Sequence, residues 1–386
     1  MLALVCSTIG GVGMWSVVVA LPAVQAEFGA SRADASLPYT LAMIGFAFGG
    51  VVHGRLADRY GIRAPLLVGA VSLGFGYGLA GLAPSLGVYA LAHGLFIAMF
   101  GAAASFGPLL AHISLWFAKR RGIAVALCAS GNYLAGAVWP PLVQMGIASY
   151  GWRATHLVIG AICILALVPL AFCFKAAPPA QASASGSAAA RGSLGLSSRA
   201  LMALICLAGV GCCVAMAMPQ VHIVAYCSDL GYGVQRGAEM LSLMLGFGIV
   251  SRVASGFVAD RIGGLATLLI GSVLQGTALL LYLTSDGLAQ LYVISALFGL
   301  FQGGIVPMYA VIVREYFAPE EAATRVGIAL MATLFGMAFG GWISGAIFDL
   351  TRSYMAAFAN GILWNLLNLL IVGGLILRRR ARAAIA

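Results

Sequence analysis

The chain alternates apolar runs of about 20 residues with short polar or charged stretches, the length needed to cross a bilayer as a helix. Six such runs can be marked at Leu2–Val24, Leu37–Leu56, Ala64–Leu82, Tyr89–Ile113, Ile123–Ile147 and Ala154–Phe174. Six more follow at Leu201–Tyr226, Met240–Val258, Leu265–Leu283, Ala289–Val313, Val326–Phe348 and Met355–Leu377. Between the two sets, Ala176 to Ser198 is rich in Ala, Ser, Gly and Pro and has no periodic apolar face, the composition of a flexible linker. The pattern predicts an all-α membrane protein of twelve helices in two six-helix bundles, residues 1–175 and 200–386, joined by a linker over 176–199. The first run lacks the basic start and small-residue cleavage site of a signal peptide, so it reads as the first helix. The scarcity of polar residues before it is compatible with a start upstream of Met1.

Composition agrees with the pattern. Hydrophobic residues make up 62% and charged residues 8% of the chain, against about 25% charged in soluble domains. The net charge of +10 would suggest nucleic acid if it formed a patch on a soluble face, but the basic residues sit at the ends of apolar runs. They therefore report topology. With both termini on the cytoplasmic side, sixteen basic residues lie inside, and only Arg32, Arg153, Arg236 and Arg352 lie outside, as the positive-inside rule requires. The preponderance of Arg over Lys, with abundant Ala and Gly, suggests a bacterial source and hence the inner membrane. The eight cysteines show no metal-ligand spacing and read as small apolar residues. No cofactor, metal or nucleotide site is expected, and a monomer is expected.

One cation departs from this pattern. Arg252 lies eight residues from the Asp260–Arg261 end of its helix, roughly 12 Å into an apolar segment. A guanidinium at such depth costs at least about 2.5–3.5 kcal/mol, so it must face a bundle interior or a wet cavity. All eleven acidic residues fall at helix ends or in loops, leaving Arg252 without an acid at its own depth. It is the first candidate for a ligand site, as an anchor for an anion.

The two halves also repeat. GRLADRYG, Gly54 to Gly61, recurs 202 residues later as GFVADRIG, Gly256 to Gly263, each at the end of the second helix of its half. With this motif, Gly54, Asp58, Arg59, Gly61 and Arg63, the chain resembles the major facilitator superfamily of secondary transporters. WFAKRRGIAVALCASGNYLAG (Trp116 to Gly136), GWR (Gly151 to Arg153) and GFGIVSRVASG (Gly246 to Gly256) resemble its monocarboxylate-porter and oxalate/formate-antiporter branch. The resemblance implies a major facilitator fold whose halves rock around a midplane site. It also implies a cytoplasmic gating network of Asp58, Arg59, Arg121, Asp260, Arg261 and Arg314.

Within that branch Arg252 falls on the arginine that anchors the substrate carboxylate. Some porters carry an Asp four residues earlier, where this chain has Gly248, and some a Lys in the first helix, near Trp15. Trp15, Ser105, Asn132, His222, Tyr226, Gln302 and Tyr309 complete the candidate binding set, as wall or neutral hydrogen-bonding groups around the anion. His222 could also take part in proton coupling. The expected function is alternating-access transport of a small organic anion, a monocarboxylate, driven by a proton, an ion or a counter-substrate. A transport-inactive sensor of the same anions, or a facilitator for another metabolite or drug, is the alternative. A membrane-embedded enzyme is not expected, because no metal constellation or catalytic cluster stands at one depth.

Overall fold

In hydrocarbon every backbone N–H and C=O must be paired within the protein, so apolar runs of this length fold as helices. A computed structural model describes residues 1–116, 121–174 and 194–383. Most of the expected linker lies outside the described residues, as do Lys119, Arg120, Lys175, Arg191 and the side chain of Arg121.

Among the described residues eleven helices are long and apolar enough to cross a membrane. The first half begins with α1 (Leu2–Phe28), α2 (Arg32–Tyr60), α3 (Arg63–Gly81) and α4 (Leu86–Ile113). The helix Arg121–Phe172 has 52 residues and would run about 78 Å if straight, more than twice the thickness of the hydrocarbon layer. Gly151 interrupts it at φ 78°, ψ 161°. The chain reverses there, and residues 121–150 (α5) and 152–172 (α6) make two passes, which brings the total to the expected twelve. The second half comprises α7 (Ser198–Asp229), α8 (Val234–Ile262), α9 (Gly264–Thr284), α10 (Leu288–Tyr316), α11 (Pro319–Thr351) and α12 (Tyr354–Ala383).

Only glycine adopts the backbone of Gly151 without strain of about 1–3 kcal/mol. Gly151→Ala should therefore lower the thermal midpoint of the purified protein. Gly78→Ala, in a helix with open space around the added methyl, should leave it unchanged. Equal midpoints for the two variants would contradict the reversal at Gly151.

The repeat seen in the sequence is carried by the backbone. Helices α2 and α8 both have 29 residues, and both of their ends are offset by 202. Each stops at a glycine with positive φ, Gly61 at 77° and Gly263 at 85°, whose N–H bonds the carbonyl four residues back. A side chain is disfavoured in that region of φ, so the repeated motif ends its helix through its last glycine. Helices α4 and α10 also break at matching places. In α4 a π-helical stretch, Ala92–Met99, gives way at Gly101 to a short 3₁₀ turn. In α10 the break falls at Gly303 and Gly304, between Leu288–Gln302 and Ile305–Tyr316.

Helices α1 and α7 are the most enclosed of the spans, with 72% of each apolar window buried, so they form the centre of their bundles. At the end of the molecule opposite the arginine-rich loops, α2 packs on α11. There an added Cβ at Gly345 would stand 2.8 Å from the Arg32 carbonyl, and the Thr40 hydroxyl donates to the Ala338 carbonyl at 3.0 Å. The absence of a side chain at Gly345 permits this approach.

Candidate functional site

A cavity of about 790 Å³ lies between the two halves. Helices α1, α2 and α5 supply Met14, Trp15, Tyr39, Met43, Asn132 and Tyr133. From the other half come Met216 and Gln220 of α7, Arg252 of α8, Val306 of α10, and Met331 and Met337 of α11. Arg55, Thr324, Gly327 and Ile328 line it near the arginine-rich end and are exposed, so the cavity opens there.

The other end is shut. The Arg32 guanidinium, only 9% exposed, donates to both carboxylate oxygens of Asp229 at 3.0 and 3.1 Å. Its charge also lies 4.8 Å from the Phe348 ring centroid. The Asp349 carboxylate accepts the N–H groups of Arg32 and Ala33, both at 2.8 Å, and so caps the first turn of α2 from the last turn of α11. These bonds join the two halves across their interface.

Arg252 is half-buried in the cavity wall. Its Nε donates to the Gly303 carbonyl and its Nη1 to the Ala129 carbonyl, both at 3.4 Å, longer than the usual 2.7–3.2 Å range. Its charge sits 4.2 Å from the centroid of the Tyr133 ring. No described carboxylate pairs with it. The break in α10 leaves the Gly303 carbonyl available to it, a use of broken-helix backbone typical of transporter sites. The absence of an acid at position 248 also has a packing reason. Tyr133 lies against Gly248, where an added Cβ would stand 2.5 Å from the ring's Cδ1. The ring fills the space that a carboxylate would need, and the guanidinium rests on its face instead.

The candidate set divides on the structure. Trp15 and Asn132 share the cavity wall with Arg252, and the Trp15 indole donates to the Asn132 carbonyl at 3.1 Å. Ser105 does not reach that wall: it is packed on Gly10 of α1 and donates to the Ala102 carbonyl at 2.8 Å. His222 is fully buried between α7 and α11, its Nε2–H donating to the Gly341 carbonyl at 2.8 Å. The Tyr354 hydroxyl then donates to its Nδ1 at 3.4 Å. Tyr226 packs edge-on against Tyr354 and Phe358. Gln302 is fully buried with both amide atoms unpartnered, beside the break in α10. Tyr309 is held inside the second bundle by Asn368, at 3.3 Å. None of these five lines the cavity, because burial inside a bundle and exposure on its inner face look alike in an apolar sequence.

Tyr39, Gln220 and the methionines other than Met14, which stands beside Trp15 in the apolar wall of the first helix, carry no signal of their own in the sequence. Met carries no polarity signal in an apolar helix, and only its position against the opposite half distinguishes it.

The gating set lies at the arginine-rich end. Asp58 is exposed and pairs with no described arginine, while Arg59 lies over the Tyr60 ring at 5.2 Å. Asp260 and Arg261 border a depression shared with Glu315 and Arg379, and Arg314 is exposed nearby. The Glu315 carboxylate accepts the Gly264 N–H at 3.2 Å and caps α9. Arg121 contributes only its backbone to the described residues.

The geometry agrees with comparison to known proteins. The chain is 29% identical over 329 residues to monocarboxylate transporter 13 of Bos taurus, covering 82% of this chain and 75% of that one. It is 26% identical over 308 residues to the MFS transporter asaE of Aspergillus flavus, covering 78% and 68% respectively. Among solved structures, a bacterial homolog of the human lysosomal transporter Spinster, inward-facing and unoccupied, superposes with a TM-score of 0.73. That match covers 98% of this chain and 96% of the other at 14% identity, and shows a shared fold. The family model of the Major Facilitator Superfamily matches residues 3–288 and 237–385. With twelve passes, a repeated loop motif and a cavity between its halves, this chain is a multi-pass membrane protein belonging to the Major Facilitator Superfamily of transporters.

Proposed function

We propose that the chain moves a small organic anion, a monocarboxylate, across the membrane by alternating access, with Arg252 as the carboxylate anchor. One observation carries this reading. A guanidinium stands in the wall of the central cavity, held by two long carbonyl contacts and a tyrosine ring, with no described carboxylate to neutralise it. Its planar fork matches a carboxylate through two parallel bonds, and the apolar wall strengthens that attraction. Trp15 and Asn132 stand beside the anchor as orienting groups. One intramembrane cation suits one carboxylate better than two.

The arginine-rich end is the cytoplasmic end in this proposal, by the positive-inside asymmetry, and both termini lie there. The structure then corresponds to an inward-open state. Asp58, Arg59, Arg121, Asp260, Arg261 and Arg314 latch that end when the carrier turns outward. The sets at the two ends are thus engaged in turn.

The test is uptake of radiolabelled carboxylates into proteoliposomes. The acid should accumulate chemically unchanged, and the corresponding uncharged amide should neither enter by the protein nor compete. Competition by the amide as strong as that by the acid would refute an anion carrier.

A further inference from the structure

The wall facing the anchor narrows the cargo further. Five of the fourteen methionines, Met14, Met43, Met216, Met331 and Met337, line this one cavity, and they come from four different helices of both halves. Trp15, Tyr39, Phe46, Phe106 and Tyr133 add aromatic faces. Among the described residues no acid lines it, and two cations do, separated in role, Arg55 at the exposed mouth and Arg252 in the wall. Open at one end, the cavity of about 790 Å³ has room for a drug-sized molecule.

A two- or three-carbon acid could engage Arg252 but would leave most of this wall in contact with water. Methionine gives a different match. Its unbranched, polarisable side chain adapts to irregular apolar shapes and makes favourable sulfur contacts at ring edges. Methionines from both halves mean that a large apolar body would be covered by each bundle as they close on it, whereas a small one at Arg252 would leave most of them uncovered.

Resting on the anion reading above, we propose that the cargo is a bulky monocarboxylate, with one carboxylate at Arg252 and an aromatic or extended apolar body against the methionine wall. Met216 and Met337, on the half that also carries Arg252, are specificity-determining residues for that body.

The experiment is calorimetric titration of the purified wild-type protein with acetate, pyruvate, phenylpyruvate and indole-3-acetate. Indole-3-acetamide serves as the control for partition into detergent. Each buried methylene equivalent should tighten binding roughly fourfold, so indole-3-acetate should bind at least about a hundredfold more tightly than acetate. Met216→Ser combined with Met337→Ser should narrow that ratio. Acetate or pyruvate binding as tightly as the ring-bearing acids would overturn the bulky-cargo proposal and leave the anion reading standing. Equal binding of indole-3-acetate and its amide, or no binding of any acid, would overturn the anion reading itself. The wild-type series decides between these outcomes even if the methionine variants fail to fold.

Discussion

Replacing Arg252 with Gln should abolish measurable uptake of the transported acid while the protein remains folded and monodisperse. Truncating one partner of a hydrogen-bonded charge pair in a desolvated site costs about 2–5 kcal/mol, or roughly 30- to several-thousandfold in kcat/KM. The wild-type guanidinium makes only weak contacts with Gly303 and Ala129, so its removal should cost the empty protein little stability. Thermal midpoints of the two proteins should then lie close together, and the loss should appear in uptake alone. Arg252→Lys separates charge from shape. An ammonium keeps the attraction but loses the planar fork, and an intermediate loss of roughly tenfold is expected. Uptake by Arg252→Gln at the wild-type rate would remove the anchor from the mechanism.

The second large effect is expected at the opposite end of the molecule. Arg32→Ala removes the pair with Asp229, which ties α2 of one half to α7 of the other. Hydrogen bonds to charged groups contribute roughly 1.5–3 kcal/mol, and Asp229 is partly exposed, which places this one toward the lower figure. In a two-state equilibrium that corresponds to a population shift of roughly tenfold away from the conformation in which this end is closed. The shift can be read at the other mouth. Ile328 lines the open end of the cavity and is exposed, so Ile328→Cys should react readily with a polar maleimide. The exposed Cys173 is first changed to Ser. Adding Arg32→Ala should slow labelling of Cys introduced at 328, and Asp349→Ala should do so independently by removing the cap on α2. An unchanged labelling rate in both would show that these bonds do not bias the equilibrium.

The architecture was legible because its causes are local. A run of about 20 apolar residues has one solution in lipid, and the repeated motif carried its own helix stop in Gly61 and Gly263. Arg252 was legible for a related reason: a charge inside such a run demands an explanation from the sequence itself. The neutral candidates were harder. From Gly211 to Cys227 every residue of α7 is buried, so no polar face marks which side of that helix meets the cavity and which meets its own bundle. His222 and Tyr226 fell on the packed side, and Gln220 and Met216 on the cavity. Gln302 and Tyr309 are seven residues apart, the spacing of one face of a continuous helix, yet the chain breaks between them at Gly303 and Gly304, and the α10 residue on the cavity wall is Val306. Periodicity identifies residues that share a face only while the helix is continuous.

The tyrosine ring seated against Gly248 has an electrical consequence under the proposed function. With no described acid beside the anchor, the carrier is positively charged at its centre when empty and neutral when loaded. The transmembrane potential then acts on the return of the unloaded protein and hardly at all on the loaded one, with a full crossing of one charge worth about 2.3 kcal/mol per 100 mV. Clamping the voltage across proteoliposomes should therefore change net uptake, in which empty carriers must return. One-for-one exchange, in which they never do, should be insensitive to it.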